Sequence, residues 1–148
     1  MRLAVLDTNV IVSAGIKPNG ITAKILMDWV LEGQVQLATS PAVVAEYREV
    51  VRREKFQKYG FPPLWLEFAI EESLWLDEPA AWPHECPDPK DAPFLALAHA
   101  SGAWLVTGNL KHFPESALGG VRVISPADYL AHLTGAAGRP VAEATELE

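Results

Sequence analysis

The sequence alternates short apolar runs, rich in β-branched residues, with longer stretches of helical periodicity. The apolar runs cover 3–6, 35–38, 104–107 and 121–124, with a weaker one at 74–76. The helical patterns between them cover 21–32, 41–57, 63–73, 91–101 and 126–133. Strands that alternate with helices form a parallel sheet covered by helices. The chain is therefore predicted to be an α/β protein with a parallel sheet.

The residues at the predicted helix ends agree with this interpretation. Ser40 and Ser125 each precede a proline, which is typical of an N-cap followed by the first helical position. Gly102 follows the pattern at 91–101, where a glycine commonly ends a helix. The helix boundaries and the strand pattern thus support each other.

Length and composition predict one globular domain. The chain has 148 residues, of which 49% are hydrophobic and 21% charged, enough to bury a core. We expect a single domain over residues 1–134 and a flexible tail over 135–148, which is rich in Gly, Ala and Glu.

Three features predict a cytoplasmic location without a membrane partner. No apolar run approaches the roughly 20 residues that a membrane span needs. The opening segment MRLAVLD reaches an acidic residue too early for a signal peptide. Cys86 is the single cysteine and cannot form an internal disulfide.

The charge balance leaves the question of a nucleic-acid partner open. The formal net charge of −7 argues against such a partner, because nucleic-acid-binding proteins usually carry a basic surface. Acidic residues that cluster around a divalent cation would weaken this objection, since the cation offsets them locally. Five basic residues also fall between positions 48 and 58; they are either a solvated helix face or a guide for RNA: Arg48, Arg52, Arg53, Lys55 and Lys58.

Polar residues follow the predicted strands at the end where parallel sheets bind ligands. Asp7 directly follows the first strand, and Asn109 follows the fourth. Glu46 lies in the second turn of the helix after the second strand. Asp88 and Asp91 begin the helix that leads into the fourth strand. Ligands bind beyond the carboxyl ends of parallel strands, so these side chains are predicted to converge on one edge of the sheet.

Such a group of acids indicates a divalent cation. Carboxylates packed together repel one another unless a cation or a proton compensates. Hard oxygen ligands suit Mg²⁺ or Mn²⁺, which can activate water against a phosphodiester. Taken singly, the residues have plainer explanations: Asp91 as an N-cap, Asp88 as a turn residue and Glu46 as a surface acid. Asp7 has no such explanation, because the strand itself does not need an acid there.

Four segments carry a resemblance to a known family. VLDTNVIVSA, SPAVVAEYREVV, DPKDAPFLALA and LVTGNLKHFP occur in the order and spacing of the four blocks of PIN-domain ribonucleases. Within that family the chain most resembles the toxin components of VapBC-like toxin–antitoxin pairs, over residues 1 to about 133. The resemblance implies a three-layer α/β/α sandwich whose five-stranded parallel sheet has the order 3-2-1-4-5. It also implies RNA as substrate, Mg²⁺ or Mn²⁺ as cofactor, and an antitoxin protein as partner.

The same resemblance assigns roles to the acidic residues. Asp7, Glu46 and Asp91 match the catalytic, metal-binding acids, and Asp88 matches an auxiliary ligand. Asn109 stands where many members carry a fourth acid. An Asn carbonyl oxygen can ligate a hard cation or hold its water but adds no charge. We therefore expect weaker occupancy of a second metal position rather than an inactive site.

Residues near these acids have expected supporting roles. Asn9 and Thr107 are expected to orient the acids through hydrogen bonds, as residues behind metal ligands commonly do. Lys111 is expected to contact a phosphate, with exposure to solvent alone as the alternative. His112 is expected to be structural rather than a general base.

The leading functional prediction is a Mg²⁺- or Mn²⁺-dependent endoribonuclease, either a toxin or a relative used in RNA processing. One alternative is a non-catalytic or weakly active RNA-binding protein, because Asn109 replaces an acid. Another is a receiver-like phosphoacceptor domain, which needs adjacent acids after the first strand, whereas Asp7 stands alone. A P-loop enzyme is excluded because the sequence has no GxxxxGK[ST] segment.

Tryptophan content predicts a protein interface in addition to the core. Aromatic residues concentrate at interface cores, and five tryptophans exceed what a small core needs. Some of them are expected to cover an antitoxin surface or the interface of a homodimer or higher oligomer, whereas Trp104 is expected in the core. The five are Trp29, Trp65, Trp75, Trp82 and Trp104.

Overall fold

The structure, a computed structural model, describes residues 2–135 and contains a five-stranded parallel sheet. The strand order is β3-β2-β1-β4-β5, and all four neighbouring pairs are parallel. The fold class and the strand order predicted above are confirmed. The strands are β1 (Arg2–Leu6), β2 (Val35–Thr39), β3 (Leu74–Trp75), β4 (Trp104–Val106) and β5 (Val123–Ile124). The predicted tail lies outside the described residues, apart from Gly135.

Helices connect the strands. They are α1 (Thr8–Ile16), α2 (Ile21–Lys24), α3 (Pro41–Val51), α4 (Leu64–Glu71), α5 (Ala92–Ser101), α6 (Glu115–Leu118) and α7 (Pro126–Thr134). A π-helical turn at Ile25–Val30 continues α2. Short 3-10 turns lie at Glu54–Tyr59, Pro89–Asp91 and Leu110–His112. None of the helices in residues 2–135 is long and apolar enough to cross a membrane.

Helix α1 is absent from the sequence-based pattern. Its sequence TNVIVSAGI is rich in β-branched residues, which lose side-chain freedom in a helix and favour strands. Burial stabilises it instead, since Val10 and Ile11 lie in the core. Asp7 also caps it, because its carboxylate accepts a hydrogen bond from the Thr8 backbone N–H at 2.8 Å.

The end of α3 differs from the prediction, whereas its beginning agrees. The helix expected over 41–57 ends at Val51, because the backbone becomes extended at Arg53 before the turn at Glu54–Tyr59 begins. Ser40 occupies the N-cap position of α3, but its hydroxyl is buried without a hydrogen-bond partner in residues 2–135. The predicted N-cap positions of Ser40 and Ser125 are confirmed, but only the Ser125 hydroxyl makes a capping bond, from the Asp128 N–H at 3.1 Å.

The core explains why the central strands read as uninterrupted apolar runs. Ala4, Val5 and Leu6 are all completely buried, although consecutive residues of a strand point to opposite faces. Both faces of β1 are thus covered by helices, as is usual in a parallel sheet. The carboxyl ends of β1, β2 and β4 meet at one side of the sheet, which we call the carboxyl edge. Asp7, Ser40 and Thr107 are the residues that follow these three strands.

Candidate metal centre

Asp7 is held rigidly at the carboxyl edge. Its backbone N–H donates to the Val106 carbonyl at 2.9 Å, and the residue is only 5% exposed. One carboxylate oxygen accepts the N–H of Thr8, and the other accepts the Thr107 hydroxyl at 2.8 Å and the Asn9 amide at 3.1 Å. Burial raises the pKa of Asp7 although these hydrogen bonds oppose the shift. The carboxylate is fixed in place at an electrostatic cost.

Asn9 and Thr107 also fasten the loop that follows β4. The Gly108 N–H donates to the Asn9 side-chain oxygen at 3.0 Å, and the Asn109 N–H donates to the Thr107 hydroxyl at 3.0 Å. A Cβ atom on Gly108 would lie 3.3 Å from that Asn9 oxygen, so a glycine lets the loop approach closely. Both residues predicted to orient the acids therefore bond Asp7 and the loop at once.

Glu46 approaches Asp7 from α3. The Thr8 hydroxyl donates a short hydrogen bond to the Glu46 carboxylate and so links it to the residue beside Asp7. Burial raises the pKa of Glu46, and the charge of Asp7 raises it further. The buried Tyr47 hydroxyl donates to the Leu6 carbonyl and ties α3 to the end of β1. Glu46 is thus part of the same acidic group and not an independent surface acid.

Asp91 is the least compensated of the acids. It is 8% exposed, and its Oδ2 atom is buried without a hydrogen bond in the described part of the chain. Burial, then the charges of Asp7 and Asp88, raise its pKa to about 6, against the opposing effect of His112. Its side chain makes no capping bond to α5, so the plain N-cap explanation fails for this residue.

Sequence reasoning gave Thr8 no role in this site, and it expected a structural role for His112 without indicating a contact with Asp91. His112 Nδ1 lies 3.3 Å from Asp91 Oδ2, close enough for an ion pair when the imidazole is protonated. Only its position in LVTGNLKHFP, after a strand end, could have indicated this. Thr8 carried a weaker signal, because a threonine directly after an acid is common in many contexts.

The other residues predicted at this site, Asp88, Asn109 and Lys111, differ in the contacts they make. Asp88 caps the turn at Pro89–Asp91 by accepting the Lys90 N–H at 3.0 Å, as a turn residue would. Its charge nonetheless raises the pKa of Asp91, so it lies near that acid. Asn109 is exposed, and its side chain makes no hydrogen bond within residues 2–135. Ligation by Asp88 and by Asn109 stays a prediction, as does phosphate contact by the exposed Lys111.

The donor set fits a hydrated divalent cation. Over residues 2–135, no three His, Cys, Asp or Glu side chains already converge closely enough to enclose a bare ion. Mg²⁺ does not need such a cage, because it keeps several waters and binds through one or two carboxylates. Asp91 has a buried oxygen that makes no hydrogen bond, and the charges of Asp7 and Glu46 raise its pKa. A cation at this position would offset that repulsion.

The raised pKa of Asp91 predicts how stability depends on pH. Its folded value of about 6 exceeds the ordinary 3.8, so the folded state binds more protons between these pH values. The stabilising contribution of the protonated carboxyl is complete below pH 4 and is lost as pH rises through 6. A difference of about two in pKa corresponds to roughly 3 kcal/mol of unfolding free energy. Urea denaturation in chelator measures this loss, and saturating Mn²⁺ is expected to reverse it.

The matched control is the same titration on Asp91→Asn. The difference in unfolding free energy between this variant and the wild type is expected to grow from pH 4 to pH 7. A constant difference over that range would show that Asp91 ionises as it does in the unfolded chain.

Comparison with known proteins matches this chain to one family model and to a related protein. A family model described as PIN domain matches residues 3–111. The chain is 34% identical, over 108 residues, to an uncharacterized protein of Methanocaldococcus jannaschii, which covers 71% of this chain and 69% of that protein.

Solved structures share the fold at low sequence identity. One chain belongs to VapBC2 from Rickettsia felis bound to a DNA fragment from their promoter, with a TM-score of 0.59, 20% identity, and coverage of 83% of this chain and 98% of that chain. Another is from FitAcB of Neisseria gonorrhoeae, with a TM-score of 0.55, 24% identity, and coverage of 84% and 98%. A third is from DNA-bound VapBC of Salmonella typhimurium, with a TM-score of 0.58, 16% identity, and coverage of 85% and 99%.

Proposed function

The chain belongs to the PIN domain family, and we propose that it is a Mg²⁺- or Mn²⁺-dependent endoribonuclease acting in the cytoplasm. We infer further that it is the toxin component of a toxin–antitoxin pair. The fold likeness to chains of VapBC2 and VapBC supports this second step.

The observation that carries the proposal is the state of Asp91. The buried Asp91 Oδ2 makes no hydrogen bond, which costs about 1–3 kcal/mol, and the surrounding burial and acidic charges outweigh the favourable effect of His112, 3.3 Å from the same oxygen. A fold that only needed a stable edge would carry an apolar or neutral residue here. Retaining an acid beside Asp7 and Glu46 makes physical sense when a cation binds among them.

Each residue then has a defined task in hydrolysis. A divalent cation bound here would stabilise charge on a phosphodiester and lower the pKa of a coordinated water. Asp7 is held in place by hydrogen bonds from Thr8, Asn9 and Thr107, so it would fix where that cation sits. Asp91 would supply an oxygen that makes no hydrogen bond, and Glu46 would add the third carboxylate.

Two exposed lysines are better placed to meet RNA than the basic run. Lys90 lies close enough to Glu46 for its charge to lower the pKa of that acid, and Lys111 neighbours His112 in the turn beside Asp91. Arg53 of the basic run also lowers the pKa of Glu46, but it is paired with Glu49. Lys55 and Lys58 lie beyond the end of α3, in the turn at Glu54–Tyr59.

Within the basic run, two of the arginines are already paired. Arg48 forms a salt bridge with Glu67 at 2.7 Å, and Arg53 forms one with Glu49 at 2.8 Å. These contacts favour the solvated-face interpretation of the run over a guide for RNA.

Replacing Lys90 and Lys111 together with glutamine is expected to weaken RNA binding. The reason is the loss of two phosphate contacts, which should reduce the slope of log affinity against log salt by about 1.4 for single-stranded RNA. Fluorescence anisotropy with a labelled RNA, in chelator, measures affinity and slope without cleavage. The matched control replaces Lys55 and Lys58 with glutamine. If the control pair lowers the slope and the Lys90–Lys111 pair does not, RNA follows the basic run instead.

The substitution Asn109→Asp tests whether one more carboxylate strengthens metal binding at this site. Asn109→Asp is expected to tighten Mn²⁺ binding, because affinity rises with the number of charged ligands. In chelator the same change should lower the free energy of unfolding by about 0.5–1 kcal/mol, since position 109 is exposed and screened. Thermal unfolding with chelator and with saturating Mn²⁺ measures both effects. An equal metal-induced rise in melting temperature for both proteins would make Asn109 a turn residue only.

Exposed apolar side chains support a protein partner. Leu64 on α4 is 96% exposed, and Phe68 on α4 and Trp75 on the edge strand β3 are each 53% exposed. Large apolar residues gathered at the surface favour an interface, which we propose for the antitoxin or for self-association as a homodimer or higher oligomer. Trp104, by contrast, packs against the core.

Two experiments test the two parts of the proposal, namely RNA cleavage and action as a toxin. Purified protein incubated with single-stranded RNA is expected to cut internal bonds with Mn²⁺ and not with chelator. Induced expression in cells is expected to arrest growth for the wild type and not for Asp91→Asn. RNA binding without cleavage would instead favour the non-catalytic RNA-binding alternative, which the exposed, uncharged Asn109 motivates.

A further inference from the structure

An apolar groove, which we call the α4 groove, lies at the opposite end of the sheet from the acids. Val35 of β2 forms its floor, and its walls include Leu31, after the π-helical turn, and Phe68 of α4. Val35 pairs with Arg2 at the start of β1, so about 16 Å of strand separates this floor from Asp7. The groove has a volume of about 180 Å³, similar to that of cavities that hold a benzene ring, so it has room for one large apolar side chain.

Helix α4 carries apolar side chains on its outer face as well as on its inner face. The inner face buries Leu66, Ala69 and Ile70. Leu64 and Phe68 are four residues apart, so they lie on one side of the helix, where they are 96% and 53% exposed. The outer face of a surface helix is normally polar, so an exposed apolar pair beside a groove favours a protein that covers both.

The charged residues around the α4 groove are acidic. Glu72 is the only charged residue among the described residues that line it, and Glu32 lies between two lining residues in sequence. Glu71 lies with Phe68 in a second depression of about 500 Å³ that adjoins the groove. All three glutamates are exposed, and none forms a salt bridge within residues 2–135. From position 59 to 89 the sequence has seven acidic residues and no lysine or arginine.

The cations nearest to this face are already engaged. Arg48, the only cation that lines the second depression, forms a salt bridge with Glu67 at 2.7 Å. The hydrogen bond from Arg48 and, to a smaller extent, the charge of Arg52 lower the pKa of Glu67. Two cations stand against four carboxylates, since Glu32, Glu71 and Glu72 add to Glu67, so the face keeps a net negative charge.

A negative apolar face selects among the molecules that could cover it. A two-fold dimer would bring this face against its own copy, so like charges would meet. RNA and anionic lipid surfaces are negative too and would be repelled. Residues 136–148 contain three glutamates and one arginine, so their charge also has the same sign. A polypeptide segment that combines basic residues with an apolar stripe has the complementary charge and shape.

We propose that the α4 groove binds a basic, amphipathic segment of a partner protein, with one large apolar side chain in the groove and lysines or arginines beside the surrounding glutamates. Leu64 and Phe68 pack against the apolar stripe of that segment. This inference rests on the partner surface proposed above and assigns its α4 part to a basic partner instead of a second copy of this chain. It does not depend on the proposed nuclease activity, because the groove is separated from Asp7 by the length of a strand.

Nuclear magnetic resonance titration of the full, ¹⁵N-labelled chain with three synthetic peptides tests the proposal. The first peptide carries leucines at helical spacing and lysines elsewhere. The second has glutamate in place of each lysine, and the third has the composition of the first in an order without an apolar stripe. In chelator and at about 0.15 M salt, the first is expected to shift the amide resonance of Gly33, which lines the groove, saturably. The other two should bind at least about tenfold more weakly, because each lacks one half of the recognition.

Variants locate the binding. Phe68→Gln is expected to weaken the basic amphipathic peptide at least about tenfold, because it removes an apolar wall of the groove. Leu64→Gln alters a side chain that makes almost no contact within the fold, and should weaken the peptide at least about threefold. Glu71→Lys combined with Glu72→Lys should weaken it as well and tighten the acidic peptide. The matched control, Leu110→Gln, removes a 48% exposed apolar side chain outside this face and should change neither affinity.

Several results would overturn the proposal. One is unchanged affinity of the basic amphipathic peptide for both Phe68→Gln and Leu64→Gln. Another is equal binding of the acidic peptide or of the peptide without an apolar stripe. A third is a dimer of the protein alone, seen by sedimentation, that Leu64→Gln dissociates, because a second copy would then cover this face. Absence of RNA cleavage would contradict the nuclease proposal alone, since the titration uses neither metal nor RNA.

Discussion

Asp91→Asn is expected to abolish metal-dependent RNA cleavage while making the metal-free protein more stable. Cleavage should fall by about 10³-fold or more, because several kcal/mol of metal-supplied charge stabilisation is lost. Unfolding in chelator at pH 7.5 should cost on the order of 1–3 kcal/mol more, since the substitution removes a buried charge whose pKa is raised to about 6. Cleavage rate and urea denaturation measure the two effects.

The matched control is Asp88→Asn, in the same segment. Asp88 is half-buried and caps a turn through the Lys90 N–H, so its amide analogue should lose far less cleavage activity. It should also gain less stability than Asp91→Asn, because it removes only one of the charges that act on Asp91. Cleavage by Asp91→Asn at the wild-type rate with Mn²⁺ would contradict the assignment of this acid. If Asp91→Asn had a lower free energy of unfolding than the wild type in chelator, this would contradict the electrostatic argument.

Asp7→Asn should lose cleavage to the same degree but with the opposite change in stability. One Asp7 oxygen accepts the Thr8 N–H, and the other accepts from both Thr107 and Asn9. In either orientation, the new amide group points its own N–H at one of these donors. An unsatisfied buried donor costs about 1–3 kcal/mol, and we expect this to exceed the gain from removing the charge.

Asp91→Asn and Asp7→Asn are expected to change stability in opposite directions, and this difference is the strictest test of the prediction. Both lose the chemistry, but one protein becomes more stable and the other less so in the same chelator-containing buffer. If both variants gained stability, the hydrogen bonds to Asp7 would contribute less than charge repulsion. If Asp7→Asn cleaved RNA normally, the fixed carboxylate would not be part of the reaction.

The sheet and the convergence of the acids could be predicted from sequence because both follow from strand periodicity. A buried parallel strand is a short apolar run, and the residue after it must lie at the carboxyl edge. Asp7 and Asn109 were placed by this rule alone. Helix α1 was not predicted because its β-branched residues favour strands locally, and the helix is stabilised by burial and by the Asp7 cap instead.

The contacts between side chains of the site could not be predicted, for a different reason. The hydrogen bond from Thr8 to Glu46 and the approach of His112 to Asp91 join elements whose separation in sequence gives no signal. Each depends on how a helix or loop packs after the sheet has formed. The basic run shows the same limit, because its charges were visible in sequence but the pairing of Arg48 with Glu67 on α4 was not.

An anomalous diffraction measurement tests the central claim most directly. Crystals of the wild type equilibrated with Mn²⁺ would be measured near the manganese absorption edge, which locates the cation without assuming its ligands. The account predicts one strong peak between the Asp7 and Asp91 carboxylates, within direct or single-water reach of both, and no such peak in Asp91→Asn. A peak elsewhere on the protein, or none at millimolar Mn²⁺, would contradict a metal-dependent reaction at this edge.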